Sequence, residues 1–121
     1  GDIVMKTSYF GKVKENFPNA VAICRYSPDW WSGFEYKALA PSAKLLSDYR
    51  GKGISDAEYG ARYQREVLDL LDPRVTYETI CKMAGPDAIL VCWEGPTKFC
   101  HRQLVAQWFE DEIGCKIPEL V

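Results

Sequence analysis

At 121 residues the chain is about one ordinary domain long, and a fold of this size buries roughly two-thirds of the surface its unfolded form exposes. Apolar residues make up 47% and charged residues 26%, which excludes an intrinsically disordered chain. Fifteen basic against seventeen acidic residues leave a net charge of −2, so a generally basic nucleic-acid coat is excluded and any polyanion site is a local patch.

No apolar run reaches the roughly 18 residues of a membrane span, and no signal-peptide layout opens the chain. A soluble, cytoplasmic protein is therefore expected, a single α/β domain over 1–121 with no membrane partner. The four residues GDIV ahead of Met5 have the look of an expression scar and carry little weight. Five cysteines are an odd number without a CxxC pair, which fits a reducing compartment better than a disulfide framework. Seven residues separate Cys92 from Cys100, unlike the short knuckles of structural zinc sites, so neither a metal nor a cofactor is expected.

In chain order, residues 3–10 (IVMKTSYF) read as a strand ending at Gly11. Residues 20–26 (AVAICRY) form a near-continuous apolar run, the pattern of a strand covered on both faces, and Ser27-Pro28 stops it. Residues 28–40 are an aromatic-rich connection. Pro41 opens a helix through about Arg50, closed by Gly51 and Gly53. Ser55 and Glu58 have capping-box spacing at the start of the next helix, where Tyr59, Tyr63, Val67, Leu70 and Leu71 make one apolar stripe ending at Asp72-Pro73. Thr76 is placed to cap a short helix to about Ala84, and Gly85-Pro86 stops it. Residues 88–93 (AILVCW) are the most buried-looking strand. A helix from about Cys100 to Ile113 turns Leu104, Val105, Trp108 and Phe109 inward, Gly114 ends it, and residues 115–117 make a short last strand. The alternation predicts a three-layer Rossmann-like α/β sandwich, its sheet mostly parallel with helices on both faces. Ligands of such sheets gather outside the strand C-termini, here Arg25-Tyr26 and the loop opened by Glu94.

The chemistry concentrates in residues 88–105. A buried strand ends in an acid, and Cys100-His101-Arg102 opens the next helix after a Gly-Pro loop. Cations at a helix N-terminus are disfavoured by a few tenths of a kcal/mol or more, so a bound phosphate or carboxylate, or Glu94 itself, is needed to offset them. Arg102 is then either an anion ligand or a loop clamp paired with Glu94. Cys100, at a helix start beside His and Arg, has the setting of a low-pKa nucleophile, against which stands the ordinary burial of cysteine. His101, the sole histidine, is the natural acid–base group near neutral pH; its plainer role is a hydrogen bond to Glu94 or a backbone carbonyl. Arg25 and Tyr26 emerge at the same sheet edge as further anion-binding candidates. Tyr59 and Tyr63 belong more naturally to the core than to a base-stacking platform. Trp30 and Trp31 either cap the core's edge or stack on a ring, with capping favoured.

These residues also carry a resemblance. The segment VCWEGPTKFCHRQLVAQWF resembles the signature of the domain-of-unknown-function 488 family, a buried strand ending in Cys-x-Glu followed by a helix opening with Cys-His-Arg, here Cys92, Glu94, Cys100, His101 and Arg102. AICRYSP, with Arg25, is similar to the family's second strand, and EYGARYQREVLDLL to its tyrosine-rich helix. The resemblance implies a Rossmann-type sandwich with a polar site at the strand ends, and it supplies no reaction. The expected function is a phosphate- or nucleotide-type anion site. As an enzyme on nucleotides or nucleic acid, it would use Cys100, His101 and Glu94 for chemistry and Arg25, Tyr26 and Arg102 for binding. The alternative is a non-catalytic nucleotide or nucleic-acid binding module. The partner is in either case a phosphorylated small molecule or a nucleic acid.

Overall fold

The computed structural model describes residues 4–14, 17–95 and 98–120. It contains strands β1 (Lys6–Tyr9), β2 (Ala20–Ala22), β3 (Phe34–Glu35) and β4 (Ile89–Cys92). Its helices are α1 (Phe10–Val13), α2 (Ala43–Ser47), α3 (Asp56–Glu66), α4 (Pro73–Ala84) and α5 (His101–Ile113). The four strands form one parallel sheet in the order β1-β4-β2-β3. Leu90 is opposite Thr7 on one side and Val21 on the other, so β4 lies at the centre of the sheet and all four of its residues are buried. A strand flanked by neighbours and covered on both faces has no polar surface to present, which is why its sequence is unbroken ILVC.

Alternating side chains along β2 and β4 divide between two cores, as the two-residue period of a strand requires. Val21, Ile23 and Leu90 join Leu45 of α2, Tyr59 and Tyr63 of α3, Ile80 of α4 and Phe109 of α5. Ala20, Ala22, Ile89 and Val91 join Phe10 and Val13 of α1. Helices thus lie on both faces of a parallel sheet, the Rossmann-like sandwich the sequence predicts, with the second face covered by a single helical turn and loops. Trp30 and Trp31 complete that thin layer, packing edge-on to Phe10 at 6.0 and 5.2 Å. No helix among the described residues is long and apolar enough to cross a membrane.

Several boundaries differ from the sequence reading, each for a local reason. Ser42, one residue after Pro41, caps α2 by accepting the Leu45 N–H at 3.0 Å, and the helix then widens into a π-type turn over Asp48–Lys52 that Gly53 ends at φ 68°. Ser55 caps α3 through the Glu58 N–H. That helix stops at Glu66, and a 3-10 turn over Leu68–Leu70 shifts the phase of the apolar stripe, leaving Leu70 77% exposed. Helix α4 begins at Pro73 rather than at Thr76: Asp72 Oδ1 accepts the Arg74 and Val75 N–H groups at 2.9 and 3.1 Å, and Thr76 is buried inside the helix. The expected last strand reduces to one parallel bridge between Thr7 and Glu119. The connection over residues 28–40 holds the two-residue strand β3, paired only to β2.

Candidate active site

Because β2 and β4 are parallel neighbours, the residues that follow them emerge at one edge of the sheet. Cys24, Arg25 and Tyr26 leave β2, and Trp93 and Glu94 leave β4. A cleft of about 530 Å³ opens there. Its buried end is made by Cys92, Cys100 and His101, and its rim by Arg25, Tyr26, Trp93 and Glu94. Tyr49, Arg50, Tyr59 and Phe99 line it as well. The three rings among them pack together, Tyr49 on Tyr59 at 4.9 Å and Tyr59 edge-on to Phe99 at 5.5 Å. Burial raises the Tyr59 phenol well above its ordinary range, so it stays neutral.

Five of the six residues singled out in the sequence line this cleft: Arg25, Tyr26, Glu94, Cys100 and His101. Arg102 does not. Its guanidinium is fully buried and all five N–H donors have protein partners. Nε and Nη2 grip the Glu119 carboxylate at 3.1 Å each, Nη1 reaches the Glu94 carbonyl at 2.6 Å and the Cys92 sulfur at 3.1 Å, and Nη2 approaches the Gly95 carbonyl at 3.3 Å. With no donor left over, Arg102 is a clamp on the loop and not a ligand for an outside anion. It ties down Glu94 through that residue's main chain, while Glu119 supplies the negative charge that offsets a cation in the first turn of α5.

His101 is also held inward. Its Nε2 donates to the Ile23 carbonyl at 2.7 Å, a partner that can only accept, so the proton sits on Nε2 and the Nδ1 lone pair faces Cys100 Sγ at 3.6 Å. Burial lowers its pKa to about 4, the Ile23 hydrogen bond opposing and the Arg102 charge adding to the drop. The imidazole is therefore neutral at physiological pH. Cys100 is 7% exposed and its sulfur is joined to that of Cys92, so it is not a free thiolate in this structure. Cys24, Cys81 and Cys115 are the free cysteines, and burial pushes the Cys24 thiol up.

Glu94 differs from these neighbours. Its carboxylate makes no hydrogen bond or ion pair among the described residues, and it is only half-buried on the cleft. Arg25 and Arg50 are exposed and likewise free of salt bridges among the described residues; Arg25 rests against Tyr26, its Nε 3.4 Å from the phenol oxygen. Of the groups the sequence reading missed, Phe99 carried a signal, an apolar residue just ahead of a helix N-cap. Tyr49 and Arg50 sit at the end of a helix whose facing could not be phased across a π-type turn. Glu119 carried none, since its partner is 17 residues away.

The family model of the active DUF488-N3 subclade matches residues 14–113, which include both strand ends, the tyrosine-rich helix and the Cys-His-Arg helix start. No curated protein and no solved structure matches the chain at a significant level. With most of its length matched, the chain belongs to the domain-of-unknown-function 488 family.

Proposed function

We propose that the cleft binds a phosphorylated, ring-bearing ligand of the nucleotide class. The observation that carries this reading is the pairing of two guanidinium groups without salt bridges among the described residues, Arg25 and Arg50, with the aromatic set Tyr49, Tyr59 and Phe99 on one cleft at the strand C-termini. Guanidinium groups suit the oxygens of a phosphate, and a ring set of this kind suits a base. In the enzymatic form, the Glu94 carboxylate is the group free to take or give a proton. Neutral His101 offers its Nδ1 lone pair to Cys100, which becomes a nucleophile once its bond to Cys92 is reduced. Binding of nucleoside monophosphates, nucleosides and inorganic phosphate by calorimetry tests the reading. Arg25→Ala and Arg50→Ala should each weaken nucleotide binding about tenfold to a hundredfold, from roughly 1.5–3 kcal/mol per charge-assisted contact. Equal affinity in both variants and the parent would sink it.

A second reading, a non-catalytic module for single-stranded nucleic acid, draws on Tyr26 and Trp93. Both rings are exposed on the cleft rim, and the Trp93 Nε1–H donates to the Tyr26 main-chain carbonyl at 2.6 Å, tying the two strand ends together. Oligonucleotide affinity that falls steeply with salt, exceeds that of mononucleotides and drops in Trp93→Ala would favour it over the first.

A further inference from the structure

Cys92 Sγ, Cys100 Sγ and His101 Nδ1 lie within 4.8 Å of one another at the buried end of the cleft. From this cluster we infer a metal site, in which the reduced protein holds a thiophilic divalent cation of the zinc type on these three atoms with its fourth position open to the cleft. The inference rests on this geometry alone and not on nucleotide binding, and in the metal-loaded protein Cys100 is a ligand in place of a nucleophile.

The seven-residue gap that argues against zinc in the sequence is closed in space, because α5 starts beside the end of β4. The histidine is set up as a ligand: the Ile23 carbonyl fixes the proton on Nε2 at 2.7 Å and leaves the Nδ1 lone pair aimed at the cluster, the outer-shell arrangement that metal-bound histidines use. The 3.6 Å from that Nδ1 to Cys100 Sγ matches the edge of a tetrahedron with Zn–S of about 2.3 Å and Zn–N of about 2.05 Å, which is about 3.6 Å. Arg102 Nη1 lies 3.1 Å from Cys92 Sγ and can donate to a thiolate there. The Cα atoms of Cys92 and Cys100 are 7.3 Å apart, beyond the roughly 4.4–6.8 Å usual for a disulfide, so the backbone spaces these cysteines as an intervening ion would. All three ligands border the cleft, and an open fourth position is the pattern of catalytic rather than structural zinc sites.

Loading requires the Cys92–Cys100 bond to be opened. Two molecules of a small thiol supply two electrons and two protons and leave as their own disulfide, giving two cysteine thiols. The cation then displaces both thiol protons to solvent, and the sulfurs part to about 3.8 Å, the tetrahedral S···S edge. His101 loses no proton, since Nδ1 is already bare.

The test is cobalt(II) titration of the full chain kept reduced by a phosphine, followed by zinc competition and metal analysis, with no nucleotide present. We expect one cobalt per chain, with thiolate-to-metal charge transfer and tetrahedral d–d bands that zinc abolishes. Cys92→Ser and Cys100→Ser should each lower occupancy at least tenfold, whereas Cys81→Ser should not. Should the serine variants fail to fold, alkylation mapping of the parent protein decides: zinc should protect Cys92 and Cys100 from modification and leave Cys81 and Cys115 reactive. Reduced protein that takes up less than a tenth of an equivalent, a cobalt spectrum unchanged in both serine variants, or zinc that protects neither Cys92 nor Cys100 would each overturn the site.

Discussion

The Arg102–Glu119 pair makes a demanding prediction because the guanidinium has no route to water. Glu119→Ala strips partners from Nε and from Nη2 and also removes the acceptor of the Thr7 hydroxyl, 2.6 Å away. Breaking a buried ion pair by removing one member costs about 3–5 kcal/mol, since the remaining charge is left uncompensated. The Glu119 side chain is 33% exposed, so water can enter the vacated space, and the lower end of that range, about 3 kcal/mol, applies. For a chain of this length that corresponds to a fall in melting temperature of roughly 10–15 °C. Urea denaturation followed by circular dichroism measures it directly. The double variant Arg102→Met/Glu119→Leu should recover most of the loss, because an apolar replacement removes the buried charge together with its partner. A single-variant loss below about 1 kcal/mol, or a double variant less stable than Glu119→Ala alone, would refute the view of Arg102 as a buried clamp dependent on that carboxylate.

Two further predictions concern the helical layer. Asp48 is held below its ordinary pKa first by the hydrogen bond from Arg62, 2.7 Å, with Lys44 and Lys52 adding to it, so its folded value lies under 3.8. Its contribution is complete above the unfolded value and is lost as pH falls through the folded one. Asp48→Asn should therefore be less stable than the parent at pH 6, with the gap narrowing at pH 2–3 in parallel urea titrations. Leu70→Ala should change stability by no more than about 0.5 kcal/mol, while Tyr63→Ala, at a fully buried position, should cost about 3–5 kcal/mol, a contrast that chemical denaturation resolves readily.

What the sequence made legible follows from how locally each feature is determined. The apolar run at β4 is readable because a strand covered on both faces admits nothing polar. Ser55, Gly85 and Gly114 mark helix ends because cap geometry depends on adjacent residues alone. Asp72-Pro73 was half legible: the pair both stops α3 and starts α4, and a reading that uses it only as a stop shifts the cap to Thr76. Strand β3 has just two residues and exists through its pairing to β2, so no propensity announces it. At the cleft, the strand ends place Arg25, Tyr26 and Glu94 from the α/β pattern alone. The charge imbalance at the start of α5 was visible, but Glu119, which resolves it, is joined only by the tertiary fold. The same holds for Cys92 and Cys100, whose separation along the chain conceals that strand, loop and helix return one beside the other.

The strand order has a consequence for how the chain is made. Strands β1 and β2 are not hydrogen-bonded to each other; each pairs with β4, which is synthesised nearly seventy residues after β2 begins. Until residue 89 is added, the sheet contact available among the described residues is the two-residue match of β2 to β3. The helices α3 and α4 can form in that interval, but their apolar faces wait for a surface that does not yet exist. Arrival of Ile89–Cys92 supplies the missing keystone, and both halves of the sheet close onto it in one step. Such distant pairing makes for slow, cooperative closure. A nascent chain interrupted before residue 89 therefore emerges with helices but without the central strand that holds them.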